Sequence, residues 1–133
     1  MYHLILIELI FRNHFQEILL VKRKRPPGIG KWGVPAGNGA LQLDPNPFTA
    51  IHNEVMMDFH VPSQAKFFSL EYNPEETSTF YLYFTVELLD EPSITPNESF
   101  SEYRWFPIRE ILELDLAVPF DKKIISHIIQ KNQ

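Results

Sequence analysis

One helix-spaced segment set between strand-like runs restricts this chain more than any other feature. In residues 47–61 the apolar side chains Phe48, Ile51, Val55 and Phe59 recur three or four positions apart, the spacing of one buried helical stripe. Asn46 followed by Pro47 is a good helix start, because Asn accepts hydrogen bonds from the exposed amides and proline at the first helical position sacrifices none. Residues 2–12 and 17–23 are rich in Ile, Leu, Val and Phe over strand-like lengths, with Asn13 and His14 as a turn, so a hairpin is expected. Residues 77–88 contain an aromatic and β-branched run, 80–86, typical of a central strand, and 102–106 form another. The spacing predicts a short helix over 108–114 and a longer one over 120–130, with Ile124, Ile125 and Ile128 on its apolar side. Strands interrupted by a middle helix and closed by a C-terminal one predict an α/β (α+β) sandwich with a mixed sheet, and the pattern alone leaves the topology open.

At 133 residues the chain is long enough to bury a core as a single domain, 1–133, without covalent staples, and its eleven prolines are scattered at element ends. It has no cysteine, which excludes disulfides and thiolate metal sites and fits a reducing, cytoplasmic setting. The apolar stretch 4–11 is too short for a membrane span, is interrupted by Glu8, and has neither a basic flank nor a small-residue cleavage site. It reads as a strand, and no membrane partner is expected. The formal net charge of −5 gives no basic footprint for nucleic acid, with Lys22-Arg23-Lys24-Arg25 as the local exception.

The chemistry concentrates between Lys31 and Val61. Lys31-Trp32-Gly33-Val34-Pro35-Ala36-Gly37-Asn38-Gly39 is a loop whose Gly37, Asn38 and Gly39 can present backbone amides to a phosphate. Glu54 and Asp58 sit one helical turn apart, so both emerge on one side, read here as the side opposite the apolar stripe, where they can share a cation. Magnesium takes one or two protein carboxylates and completes its octahedron with water and substrate phosphate. The bland reading of the same pair is a solvated helix face. Arg23 and Lys24 can neutralise a diphosphate or merely solvate a strand edge. Trp32 and Pro35 read as packing residues.

With residues 18–23, this stretch resembles the Nudix hydrolase family, whose signature is G-x5-E-x7-R-E-U-x-E-E-x-G-U with U apolar. The likeness covers residues 18–61 and extends to about 125. Aligned on Asn53-Glu54-Val55, the chain keeps Glu54, Val55 and Val61 and places Gly39 at the first glycine, or Gly37 if the loop carries two extra residues. It departs at four places. The first Glu falls on Pro45, beside Asp44; the Arg is Asn53; the paired glutamates are Met57 and Asp58; and the late Gly is His60.

The resemblance implies a Nudix-type α/β/α sandwich and metal-assisted hydrolysis of a nucleoside diphosphate linked to another moiety. In that reading Glu54 and Asp58 are the metal ligands for Mg2+ or Mn2+. Arg23, Gly37 and Gly39 steady phosphate. Glu102, in the loop region before Trp105, is the first candidate base and Glu98 the second. Met57 offers only a thioether, a poor donor to a hard cation, so a multi-metal arrangement is not expected. The segment 116–121, Leu-Ala-Val-Pro-Phe-Asp, is similar to the Leu-Ala-Phe-Asp-His segment of the ADP-ribose pyrophosphatase branch, with Lys122 where that branch has His. It points to an ADP-ribose-like substrate touched by Phe120, while Asp121 reads equally as a helix cap. A small-molecule nucleotide is the expected partner, and a homodimer is compatible. The competing expectation is a nucleotide-binding or interaction module that keeps the fold after losing turnover.

Overall fold

The computed structural model describes residues 4–26, 28–35, 46–72, 79–90, 92–96 and 98–131. In chain order the elements are β1 (Leu4–Arg12), β2 (Glu17–Arg23), β3 (Trp32–Gly33), α1 (Pro47–Phe59), β4 (Ser63–Tyr72), β5 (Thr79–Leu88), β6 (Phe100–Pro107), α2 (Ile108–Ile111) and α3 (Asp121–Lys131). They fall into two compact units, Met1–Arg12 with Pro35–Thr95 and Asn13–Val34 with Pro96–Gln133. Among the described residues no helix is long and apolar enough to cross a membrane.

In the first unit β1 runs parallel to β5, from Leu4 opposite Thr79 to Arg12 opposite Glu87. β5 in turn runs antiparallel to β4, so parallel and antiparallel pairing meet on one strand. The near-continuous apolar run of β1 suits a strand covered on both faces, and consecutive Leu9, Ile10 and Phe11 are all buried. The helix α1 lies on the face carrying Phe11, Phe84 and Val86, with edge-to-face ring contacts from Phe59 to Phe11 at 4.8 Å and from Phe48 to Phe84 at 5.7 Å. Ile51, Val55 and Phe59 are buried as the spacing requires, each contributing roughly 1.5–3 kcal/mol of apolar burial. Phe48 lies on the expected stripe and its ring meets Phe84, but it stays 48% exposed, and Ala50 is buried as well. Asn46 caps the helix, its side chain accepting from the amides of Phe48 at 3.0 Å and Thr49 at 3.4 Å. His60 ends it at φ 60, ψ 30, the left-handed conformation, while its amide donates to the Met56 carbonyl.

In the second unit β2 pairs antiparallel with β3, Lys22 opposite Trp32, and with β6, from Glu17 opposite Pro107 to Arg23 opposite Phe100. The turn expected at Asn13 is built by the Asn13 side chain, whose Oδ1 accepts from the amides of Phe15 and Glu17, both at 2.9 Å. Ile124, Ile125 and Ile128 of α3 are buried as expected.

The sequence reading missed β3 and β4. It also ran α2 through 114, whereas the helix stops at Ile111. Asp121 opens α3 with its side chain buried. The expected starts of two strands, at 2 and 77, lie outside the described residues.

Candidate active site

The helix α1 places its two acids differently from the sequence reading. Counting 100° per residue from Ile51 as zero, Val55, Phe59 and Ala50 stand at about 40°, 80° and −100°, and Glu54 and Asp58 at about −60° and −20°. The carboxylates therefore lie within the buried arc and not opposite it. Both are half-buried, whereas Asn53 and Met57 point outward, Met57 with 67% exposure.

Two acids in apolar positions repel and lose hydration together. Burial raises the Glu54 carboxyl above its usual range, and the Asp58 charge and a side-chain hydrogen bond to Asp58 raise it further. Burial also raises Asp58, partly offset by that same hydrogen bond and by the charge of His60. Among the described residues no lysine or arginine forms an ion pair with either acid. Beyond the charge of His60 near Asp58, the pair is held together without a lysine or arginine partner among the described residues.

That arrangement fits a bound divalent cation, whose charge would convert the repulsion into joint coordination. The fit is to a site the protein fills only in part. Among the described residues there is no cluster of three or more His, Asp or Glu able to hold a metal, so water and substrate phosphate would supply the remaining donors.

The second unit holds the other expected residues. Arg23 spends its guanidinium on its own loop, donating from Nε to the Arg25 carbonyl at 3.2 Å and from an Nη to the Pro26 carbonyl at 3.1 Å. Glu102 stands on strand β6 and not in a loop, directly across from Lys22, with which it pairs at 3.4 Å while 60% exposed. Glu98 pairs with Arg25 at 2.9 Å and is almost fully exposed. The ring of Phe120 lies under the Lys123 ammonium at 5.5 Å. Gly37 and Gly39 fall outside the described residues.

Trp32 confirms its packing role, with its ring 5.0 Å from Phe106 and the Arg104 and Lys22 cations each 5.9 Å away. The 116–121 segment is tied to the same region, since the Ala117 amide donates to the Trp32 carbonyl at 2.8 Å. Ala117 fills the space beside Gly28 and Gly33, where an added Cβ would meet it at 2.6 and 3.3 Å. The sequence reading missed this seat. The only trace of it in the chain is a small residue, Ala117, in an otherwise bulky segment.

A family model for the NUDIX domain matches residues 1–128. The chain belongs to the NUDIX domain family. Solved structures share this NUDIX fold, an α+β arrangement with parallel and antiparallel strands. The NUDIX domain of Shewanella oneidensis NrtR, solved in complex with ADP ribose, is 19% identical with a TM-score of 0.79, covering 100% of this chain and 90% of that one. A NUDIX hydrolase from Nitrosomonas europaea is 22% identical with a TM-score of 0.74, covering 95% and 72%. A MutT protein from Methanosarcina mazei Go1 is 16% identical with a TM-score of 0.74, covering 99% and 96%. No curated protein matches the sequence.

The acid pair sets a stability expectation for the metal-free NUDIX domain. Both folded-state pKa values stand above their unfolded values, so the penalty is absent below about pH 4 and grows as pH rises through the folded values. Gln at position 54 mimics the protonated acid. At pH 7 Glu54→Gln should raise stability by up to about 1 kcal/mol, since half-exposure screens the repulsion. Chemical denaturation across pH 3–7 checks this, with the advantage shrinking to nothing at the acid end.

Proposed function

We propose that this NUDIX domain, acting as one unit over residues 1–133, hydrolyses a nucleoside diphosphate linked to another moiety, with an ADP-ribose-like compound as the preferred class. The observation that carries the reading is the Glu54–Asp58 pair, two acids kept half-buried and in contact despite mutual repulsion. Perturbed carboxyls of this kind cluster at functional sites. The substrate class draws support from the ADP ribose complex of the NrtR domain and from the 116–121 segment. A cysteine-free chain suits a reducing, cytoplasmic setting.

In this reading Glu54 and Asp58 hold Mg2+ or Mn2+. When bound, such an ion supplies Lewis-acid polarisation of the phosphoryl oxygens. The protein's own residues do the rest. A base takes a proton as water's oxygen bonds to phosphorus, and the bridging oxygen departs with the neighbouring phosphate. Glu102 is the first candidate for that base, with Glu98 second. Glu102 is exposed enough to meet water, and its carboxylate lies 3.4 Å from the Lys22 ammonium. Arg23 helps steady the diphosphate while bracing the loop it already holds.

A screen of nucleotide-diphosphate compounds with Mg2+ or Mn2+, scored for phosphate-ester cleavage, tests the proposal. Saturable nucleotide binding without cleavage of any compound would favour the binding-module reading, which the replacement of acidic donors by Pro45 and Met57 supports. The degenerate box also predicts a gain of function. Met57 is mostly solvent-exposed, so Met57→Glu should leave the fold intact. Combined with Asn53→Arg to offset the added charge, it should raise Mg2+-dependent turnover by about tenfold or more, read in initial rates at saturating substrate.

A further inference from the structure

Every oxidisable sulfur in this chain belongs to methionine, for it has three methionines and no cysteine. Two of them are consecutive on α1 and both are open to solvent, Met56 at 41% and Met57 at 67% exposure. A methionine so exposed buries little apolar area, so packing gives little reason for either.

The two face different ways. On the same helical count Met57 stands at about −120° and Met56 at about 140°. Met57 is therefore about 60° from Glu54 and three residues along, close enough for their side chains to meet, and it directly precedes Asp58. Met56 lies about 160° from both acids. Of the two exposed sulfurs, one borders the acid pair and the other lies across the helix from it.

Peroxide changes what Met57 offers. The thioether sulfur attacks one peroxide oxygen; an S–O bond forms, the O–O bond breaks, and the departing hydroxide takes the proton from the transferred oxygen and leaves as water. Sulfur loses two electrons and peroxide gains them. A soft, weak donor becomes a sulfoxide whose polarised oxygen suits a hard cation. Charge matters as much as the new oxygen. Glu54 and Asp58 already repel each other, and a third carboxylate would add to that repulsion, whereas the sulfoxide is neutral. Three rotatable bonds let the unbranched side chain bring that oxygen toward the pair.

We propose that Met57 is a reversible oxidation site whose sulfoxide oxygen adds a third, neutral donor to the cation held by Glu54 and Asp58. The inference rests on the acid pair being the cation site. A dithiol-dependent sulfoxide reductase reverses the change, the oxygen leaving as water while two thiols become a disulfide.

Hydrogen peroxide treatment of the full chain tests the assignment, with peptide mass mapping to follow each methionine and electron paramagnetic resonance of free Mn2+ to read binding. Conversion of Met57 should tighten Mn2+ binding by at least about threefold, and reductase treatment should remove the gain. Oxidised Met56→Leu should show the same gain, and oxidised Met57→Leu none. A gain that survives Met57→Leu, or no gain with Met57 fully converted, overturns the proposal. Glu54→Gln separates this inference from the reading beneath it. If Glu54→Gln abolishes Mn2+ binding while oxidation of Met57 leaves it unchanged, the oxidation site alone fails. If Mn2+ binding is indifferent to Glu54→Gln, the acid pair is not the cation site and both fall.

Discussion

Glu54→Gln should lower metal-dependent cleavage of a diphosphate substrate by at least about a hundredfold, because it removes one of only two protein donors proposed for the cation. Nucleotide affinity in the absence of metal should stay within a few-fold, since an amide of the same shape still fits. The variant should at the same time be no less stable than the parent at pH 7, for it also removes the repulsion with Asp58. Loss of turnover with equal or greater stability is the signature of a group strained for function, and a structural salt bridge would give the reverse. Metal titration should separate the two as well. With so few protein donors, the parent should bind Mg2+ weakly alone and cooperatively with nucleotide, and Glu54→Gln should abolish the cooperativity. Tight metal binding without nucleotide that is unchanged by Glu54→Gln would sink the assignment. Steady-state kinetics and calorimetry on parent and variant make the comparison.

Gly28→Ala should cost about 3 kcal/mol of stability, lowering Tm by roughly 10 °C for a chain of this length. Two effects add. Gly28 sits at φ +71, where a side chain costs roughly 1–2 kcal/mol, and its added Cβ would lie 2.6 Å from both Cα and Cβ of Ala117. A backbone atom cannot rotate away, so the overlap must be relieved by shifting the 116–121 segment from its seat, a cost of about 1–3 kcal/mol. Gly30→Ala is the internal control. Gly30 has φ +82 but nothing within 4 Å of an added Cβ, so that variant should show the backbone cost alone. Thermal melts of the two, side by side, isolate the clash. Equal losses would mean that the 116–121 segment does not press on Gly28.

The sequence by itself determined the elements whose reasons are local. Asn46-Pro47 at the start of α1 and the turn built by Asn13 both depend on bonds within four residues, so residue type and spacing were enough. The long apolar runs of β1 and β5 were legible for a related reason, since strands covered on both faces leave little room for any other residue type. The family was readable from the Lys31–Val61 pattern, although only the match over residues 1–128 established it.

The tertiary structure decided what depends on contacts between distant residues. β4, with its mixed SQAKFFSLEY sequence, is a strand because β5 pairs with it, and only that register reveals the bulge between Phe67 and Ser69. Trp32 and Gly33 are a strand because β2 pairs with them. Glu102 belongs to a strand and pairs with Lys22 because β6 lies against β2. The acids of α1 showed the limit most clearly. Their spacing announced that they share a side of the helix, but whether that side faces water or the core follows from where the helix packs, which no stretch of thirteen residues encodes alone. Repulsion between two half-buried carboxylates, the property on which the proposed site rests, exists only once the rest of the chain has enclosed them.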